Sequence, residues 1–402
     1  MPVATEADLL TDSGRRLALS TLCATQITSW GVLYYAFPVL AGDITAATGW
    51  STAAITAALS ASQLVAALIG IPVGRWLDRY GPREVMTAGS VLAVPAVVAV
   101  ATASSLVWFV AAWLLVGAAM GAVLYPPAFA ALTRWYGPDP VRALTVLTLA
   151  GGLASTVFAP LTAALATRLD WRGTYLVLAA VLAVVTVPAH WFGLRLPWPP
   201  RPEPEPGRAH TGPRRVARSG PFVLLAVALS LTALATFAAV INLVPLLAER
   251  GVSTGVAAVA LGLGGAGQVV GRLGYATLVR RTSVLARTTG ILLAIAATTA
   301  ALGLLTTGPA LVTGAVVAGM ARGVFTLLQA TAVTDRWGRR HYGHLTGLLS
   351  APMTITMALA PFAGAVLADL LGSYSTAFLV LGAIAAAGAT FSLSTIPSKD
   401  MS

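Results

Sequence analysis

The sequence predicts an all-α integral membrane protein with twelve transmembrane helices in two halves of six. Of its 402 residues, 57% are hydrophobic and 10% are charged, with a mean hydropathy of +0.82. A soluble domain carries roughly a quarter charged residues, so the few charges here cannot cover a water-exposed surface and most of the surface must face lipid. The number of long apolar runs predicts twelve helices, and a repeat within the chain predicts two halves.

Twelve apolar runs reach the length of about 20 residues that a helix needs to cross the hydrocarbon core. They fall near residues 17–41, 51–74, 84–103, 106–131, 143–166, 173–193, 221–246, 255–278, 285–305, 309–333, 344–368 and 375–396. A gap rich in Pro, Arg and Glu divides them, and its composition predicts an extended, mobile linker without packed structure. The expected organisation is a six-helix bundle at 1–194, a cytoplasmic linker at 195–220 and a second bundle at 221–402.

The positions of arginine and lysine predict that both termini lie in the cytoplasm. With that orientation, 21 of the 25 cationic side chains lie in cytoplasmic segments, three lie outside and Arg322 remains within a span. This asymmetry follows the positive-inside rule. The net charge of +11 therefore fits loops that face an anionic lipid leaflet, and no nucleic-acid partner is expected.

The second half repeats features of the first at an offset of about 200 residues. Val-Gly-Arg occurs at 73–75 and again at 270–272, an Arg-Trp motif at 133–137 recurs near 334–338, and the Pro-Leu pair at 160–161 matches Pro-Phe at 361–362. Several matches in one register indicate two parallel six-helix repeats, which is a known plan of membrane transport proteins.

Residues 74–83, with the sequence Gly-Arg-Trp-Leu-Asp-Arg-Tyr-Gly-Pro-Arg, lie between the second and third spans and are called the signature loop below. Gly74 permits close approach of helices, and Gly81 followed by proline predicts a tight turn. Asp78 is expected to pair with Arg83 or to accept hydrogen bonds from a neighbouring helix terminus, and Arg79 to face the anionic leaflet.

The signature loop closely resembles the cytoplasmic signature of the major facilitator superfamily. The resemblance extends to the span number, the linker and the repeat, and it implies a secondary transporter that moves a small solute by alternating access. It also implies that the loop holds the two halves together and releases them during the cycle. The residues expected to take part in this gating are Gly74, Asp78, Arg79, Gly81, Arg83 and, in the second half, Arg272. The second copy lacks the acidic residue, so its contact should be weaker.

Two shorter matches concern the branch of the superfamily. Residues 29–31, Ser-Trp-Gly, are similar to part of the monocarboxylate-porter signature, and residues 134–152 look like that family's second signature. Both matches are partial, and they imply an organic anion such as a monocarboxylate as the solute. One alternative is a multidrug or metabolite efflux antiporter, although most of that branch's glycines are absent from span five. Another is a transporter-like membrane solute sensor, which would usually need an attached signalling domain.

In the resembled fold the first, fourth, seventh and tenth spans line a central cavity, so their polar and aromatic residues are the candidates for solute binding. These candidates are Gln26, Trp30, Tyr34, Tyr125, Asn242, Arg322 and Gln329. Gln26, Trp30 and Tyr34 are spaced by four and should share a helix face. The alternative for each aromatic residue is packing, and for Asn242 and Gln329 it is an interhelical hydrogen bond.

Arg322 stands near the middle of the tenth predicted span, and no span interior contains Asp or Glu. A cation at the bilayer centre costs at least about 2.5–3.5 kcal/mol on insertion scales unless it faces water or a partner. Arg322 must therefore use helix carbonyls, water or an anionic ligand. A solute carboxylate is the functional interpretation, and a structural arginine bonded to backbone is the alternative.

Other function classes lack their characteristic residues in this sequence. No buried nucleophile, carboxylate pair or metal-ligand cluster is visible, so we expect no enzyme, no cofactor and no metal. No G-x-x-x-x-G-K-[ST] loop occurs, so the energy should come from a gradient of solute, protons or another ion. The abundance of alanine and arginine suggests a bacterial inner membrane, where the chain is expected to act as a monomer.

Overall fold

The computed structural model describes residues 11–137, 139–200, 212–252 and 254–397, and over these residues all regular structure is helical. Six long helices precede the linker: α1 (Asp12–Trp30, Gly31–Tyr35 and Ala36–Thr48), α2 (Thr52–Tyr80), α3 (Pro82–Ala101), α4 (Leu106–Val123 and Tyr125–Trp135), α5 (Val141–Gly152 and Ala154–Ala166) and α6 (Trp171–Gly193). Six follow it: α7 (Gly220–Ile241 and Leu243–Glu249), α8 (Thr254–Arg281), α9 (Val284–Leu304), α10 (Gly308–Thr331), α11 (Tyr342–Leu371) and α12 (Tyr374–Ser392).

Most of these helices have the length and composition of membrane spans. Within the described residues, nine are long and apolar enough to cross a membrane, and α11, bent by 51° after Ala360, is the tenth. Helices α1 and α8 bring the number of long helices to the predicted twelve. Polar side chains cap several helix starts, as when Asp170 accepts a hydrogen bond of 2.7 Å from the Gly173 amide at the start of α6.

The chain divides into two compact units. The first takes in Met1–Glu203 and Arg339–Ala351, and the second takes in Pro204–Gly338 and Pro352–Ser402. The start of α11 therefore packs with the first six helices, whereas the sequence placed all of 221–402 in one bundle. The contacts of α2 with this segment, described below, explain the difference.

Each unit contains a pair of helices that touch through glycine. A Cβ on Gly117 or Gly121 of α4 would collide with the backbone of α2, at the carbonyls of Ser62 and Ala66. Glycines spaced by four let two helix backbones approach directly, and dispersion contacts then stabilise the pair.

The same packing recurs in the second unit at an offset of 202 residues. Gly319 and Gly323 of α10 leave no room for a Cβ beside the carbonyls of Gly264 and Gln268 of α8. The internal repeat predicted from the sequence therefore includes the way in which the second and fourth helices of each half pack.

The first part of the linker packs against the first unit. Trp198 lies edge-on to Trp135 with ring centroids 5.9 Å apart, and Trp135 Nε1 donates to the Pro197 carbonyl at 3.1 Å. The Arg134 guanidinium donates to the Pro199 carbonyl from Nε at 2.9 Å and from Nη2 at 2.6 Å. The prediction of a linker without packed structure is therefore wrong for residues 197–199. Residues 201–211 lie outside the described part of the chain.

The arginine of the repeated Arg-Trp motif does the same in the second unit. Arg336 is only 4% exposed, and its Nε donates to the Thr395 carbonyl at 3.1 Å, just after α12 ends. Its Nη2 donates to the hydroxyls of Thr288 at 2.8 Å and Thr395 at 3.0 Å. Burial lowers the pKa of this guanidinium to about 10, so it remains charged at neutral pH. Each motif arginine thus holds the chain that follows the last helix of its half.

Candidate functional site

Three interrupted helices of the first unit come together at one place. Helix α1 opens into a π-helical turn at Gly31–Tyr35, α4 breaks at Leu124, and α5 breaks at Leu153. Within a membrane, irregular backbone persists only where its polar groups find partners or line a cavity. Such breaks often mark binding sites in transporters, and π-turns are frequent at functional sites.

Aromatic rings gather at these breaks. Trp30 lies 5.6 Å from Tyr34 and 5.3 Å from Tyr125 between ring centroids, and Tyr34 lies edge-on to Tyr35 at 5.2 Å. Tyr125 stacks on Phe129 with centroids 5.1 Å apart. These five rings form what we call the aromatic cluster, which brings together three of the residues predicted to contact solute. Their side chains carry no formal charge.

Two glycines make room for this cluster. A Cβ on Gly31 would overlap the Phe158 ring, and a Cβ on Gly151 would overlap the Tyr125 hydroxyl. The first belongs to the Ser-Trp-Gly segment at 29–31, and the second lies near the end of the segment 134–152. Both are therefore needed for the shape of the cluster, because any side chain there would displace an aromatic ring.

Gln26 does not lie in the aromatic cluster but supports it from one side. The residue is fully buried, and its Nε2 donates to the Val123 carbonyl at 2.6 Å. That carbonyl has no helical partner four residues later, because Pro127 carries no amide hydrogen. The structure therefore gives Gln26 the role of a partner for the break in α4, whereas the sequence placed it among the solute-binding residues.

We expect Gln26→Leu to destabilise the protein without changing its solute preference. The variant leaves the Val123 carbonyl buried and unpaired, which costs about 1–3 kcal/mol. Thermal unfolding in detergent should show a lower midpoint, with uptake of all solutes reduced in proportion to folded protein. Gln63→Leu, the same change at a half-buried position of α2, serves as the control. An unaltered midpoint of thermal unfolding together with an altered solute preference would instead show that Gln26 contacts the solute.

A cleft in the second unit lies among α7, α8, α9 and α10. Apolar side chains such as Val240, Leu261 and Leu302 line it, and Arg322 is the single charged residue among its lining residues. The residue predicted to bind the solute carboxylate thus faces a largely apolar space.

The other two candidates of the second unit are not among the residues that line this cleft. Asn242 is 5% exposed at the break in α7. Its Nδ2 donates to the Ala238 carbonyl at 2.9 Å, and its amide packs where a Cβ on Gly364 of α11 would stand. Gln329 is half-buried near the end of α10. The side-chain hydrogen bond of Asn242 therefore stays within α7 and is not the interhelical bond that the sequence left open as an alternative.

Arg272, which was predicted to take part in gating, does not lie in a loop. Arg272 lies inside α8, nine residues before the helix ends, and is 4% exposed. At the 202-residue offset of the glycine pairs, the position that corresponds to Asp78 is Arg280, so the second half has no carboxylate there. Arg322 is therefore not the only cation deep in a long helix, as the sequence suggested, because Arg272 is a second one.

In the signature loop, the Asp78 carboxylate accepts hydrogen bonds from the start of α11. Oδ1 accepts from the Gly343 amide at 3.1 Å and Oδ2 from the His344 amide at 3.0 Å, and Asp78 is 6% exposed. The first amides of a helix lack intrahelical partners and carry partial positive charge, so they suit a carboxylate. The structure thus shows the second of the two arrangements expected for Asp78.

Close packing of glycines brings this carboxylate within reach of α11. A Cβ on Gly74 would overlap the Gly343 carbonyl, and a Cβ on Gly347 would lie 2.7 Å from the Gly70 carbonyl. Each helix thus contributes two glycines spaced by four, the pattern typical of close helix pairs in membranes. Gly343 and Gly347 were not among the residues predicted to take part in this contact, although they form a Gly-x-x-x-Gly pattern in the sequence.

The rest of the signature loop forms the expected turn. Gly81 has a φ of 83°, which favours glycine, between the end of α2 and the start of α3. Arg83 Nε donates to the Trp191 carbonyl at 3.0 Å, and its guanidinium lies 4.1 Å from the centroid of that indole ring. Arg79 is exposed beside Tyr80. These residues join α2, α3 and α6.

Comparisons with known proteins agree with this architecture. The chain is 28% identical over 344 residues to monocarboxylate transporter 11 of Homo sapiens, covering 83% of this chain and 73% of the relative. It is 27% identical over 380 residues to monocarboxylate transporter 13 of Bos taurus, covering 92% and 85%.

Solved structures with the same fold include FucP in the outward conformation, with a TM-score of 0.73, 15% identity, and coverage of 96% of this chain and 100% of that chain. The human organic anion transporter MFSD10 gives a TM-score of 0.71, 17% identity, and coverage of 94% and 99%. These likenesses confirm the predicted fold class of twelve transmembrane helices.

The family model described as Major Facilitator Superfamily matches residues 22–310, which is more than half of the chain. The predicted superfamily is thereby confirmed, and the protein is a multi-pass membrane transporter rather than an enzyme. This chain belongs to the major facilitator superfamily.

Proposed function

We propose that this transporter carries small organic anions, above all monocarboxylates, by alternating access, and that Arg322 binds the carboxylate. The observation that carries the proposal is the position of Arg322 in a cleft of apolar side chains, where it is the one charged lining residue. A guanidinium offers two parallel N–H donors that match a carboxylate, and a surrounding of low polarity strengthens that pairing.

The similarity to monocarboxylate transporters 11 and 13 supports the same solute class. The partial signatures at residues 29–31 and 134–152 are part of the same likeness. Identities of 27–28% leave room for a different acid, so the proposal is restricted to the class.

One observation favours the efflux antiporter as a second candidate. The aromatic cluster around Trp30 and Tyr125 is a surface suited to flat apolar molecules and to organic cations, which bind over aromatic faces. A drug exporter would use these rings in place of Arg322 as its main contact.

The remaining assignments follow from the sequence. We propose a bacterial inner membrane with both termini in the cytoplasm, because 21 of the 25 cationic side chains then lie on that side. The proposed partners are the solute, the lipid bilayer and a coupling proton or other ion, and the protein is proposed to act as a monomer.

Uptake into proteoliposomes tests the solute class directly. Purified protein should accumulate radiolabelled monocarboxylates in response to an imposed proton or solute gradient, while the corresponding neutral amides and quaternary ammonium compounds accumulate far less. Preferential movement of the cations would contradict the anion proposal and favour the exporter. Solute binding without any flux would identify a sensor instead.

A further inference from the structure

The cleft of the second unit is even less polar than its residue types suggest. Thr236 donates its hydroxyl hydrogen to the Thr232 carbonyl at 2.7 Å, and Thr298 donates to the Ala294 carbonyl at 2.7 Å. Two of the three threonine hydroxyls that line the cleft thus use their hydrogen within their own helix; the third belongs to Thr299. The guanidinium of Arg322 remains the strong polar group among the residues that line the cleft.

The cleft extends along α10 away from the guanidinium. Ala315, Ala318, Gly319 and Arg322 line it at a spacing that places them on one helix face. Seven residues of helix span about 10 Å, and Arg322 is the last of the four. The lining residues Thr236 and Leu243 of α7, also seven residues apart, show a similar extent. The cleft therefore has a charged group at one end and apolar walls over the rest of its length.

We infer that the solute of this site is an amphipathic monocarboxylate, whose carboxylate binds Arg322 and whose apolar tail of several carbons fills the cleft along α10. This inference rests on the proposed anion site and goes further by specifying the tail. Burial of apolar surface favours each added methylene, whereas a tail hydroxyl or a second carboxylate would lose water without a strong partner. Short hydroxy acids and dicarboxylates should therefore bind less well.

The expected size of this preference can be stated. A buried methylene is worth enough to tighten binding roughly fourfold. Acetate, butyrate and hexanoate should thus form a series in which each step of two methylenes lowers Kd by roughly an order of magnitude until the cleft is full.

The first experiment measures the binding of this series to the full-length protein in detergent by calorimetry. Two variants change the cleft in opposite directions: Ala318→Leu fills it, and Leu261→Ala removes an apolar wall. Ala318→Leu should weaken hexanoate at least tenfold and leave acetate nearly unchanged. Leu261→Ala should reduce the gain for each methylene. The control is Ala297→Leu on the exposed side of α9, which should alter neither acid.

The outcomes separate the two levels of the proposal. If acids bind with dependence on Arg322 but their affinity does not rise with tail length, the tail inference is overturned and the anion site stands. The same follows if Ala318→Leu affects acetate and hexanoate equally. If a phospholipid stays bound in the cleft and hexanoate does not displace it, the occupant is lipid and the inference is again overturned. If no monocarboxylate binds the wild type, the proposed function itself fails.

Discussion

Arg322→Gln is expected to weaken monocarboxylate binding by roughly ten- to a hundredfold while the protein remains folded. A hydrogen bond to a charged group is worth about 1.5–3 kcal/mol, and the glutamine amide removes both the charge and the paired donors. Arg322→Lys keeps the charge without the planar fork, so its affinity should lie between those of the wild type and Arg322→Gln. Uptake of a neutral analogue should survive better in both variants. Saturation kinetics in proteoliposomes, with thermal unfolding of the same preparations, provides the measurement.

Arg272, the other arginine deep in a long helix, supplies a comparison for this test. Arg272 lies in α8, the helix that packs against α10 through the glycine pair at 319 and 323. If Arg272→Gln loses monocarboxylate affinity while Arg322→Gln keeps it, the anion site lies on α8 and the role proposed for Arg322 is wrong. A structural arginine would instead lower stability and affect all solutes alike. Unchanged monocarboxylate affinity in folded Arg322→Gln protein would favour the efflux antiporter over the anion transporter.

Asp78→Asn is expected to lower transport sharply while membrane insertion and folding remain largely intact. In the structure the two carboxylate oxygens accept from two amides at the start of α11. Asparagine keeps one acceptor and turns an amide hydrogen toward the other donor. Since a charge-assisted hydrogen bond contributes about 1.5–3 kcal/mol, a state that needs this contact should lose roughly ten- to a hundredfold in population. Initial rates of uptake and of counterflow measure the effect.

Glu84→Gln makes the same chemical change close by and serves as the control. Glu84 is exposed in the first turn of α3, so neutralising it should leave the uptake rate close to that of the wild type. Equal and strong losses of uptake rate in both variants would show that transport depends on the overall charge of this region and not on the contact of Asp78 with α11. Normal uptake in Asp78→Asn would remove the gating role proposed for this residue.

Features that depend on local sequence were predicted well. The twelve long helices follow from the length and hydropathy of the apolar runs, and the turn at Gly81 follows from a glycine before a proline. The alternative in which Asp78 binds a helix terminus could be stated because a lone carboxylate in a basic loop suits free helix amides. Each of these inferences needs only a few neighbouring residues.

Features that depend on distant partners were predicted poorly. The side chain of Gln26 binds the carbonyl of Val123, which is 97 residues away in the sequence. The periodicity of α1 gives no indication of this partner. Arg272 was expected to take part in gating because its Val-Gly-Arg motif matches the end of α2, whereas α8 continues nine residues beyond it. Trp198 lies in a segment with a linker's composition, yet Trp135 and Arg134 bind that segment. The composition of a segment does not show whether another part of the chain offers a surface for it to pack against.

The glycine pairs of α4 and α10 bear on the history of the chain. A Cβ at any of the four positions would collide with a carbonyl oxygen of the partner helix, so we expect substitutions there to be tolerated far less than at lipid-facing positions. Two identical pairs in one frame, 202 residues apart, are what an ancestral gene duplication leaves behind when most other positions have diverged. This repetition is the result expected if both halves arose by duplication of one six-helix unit.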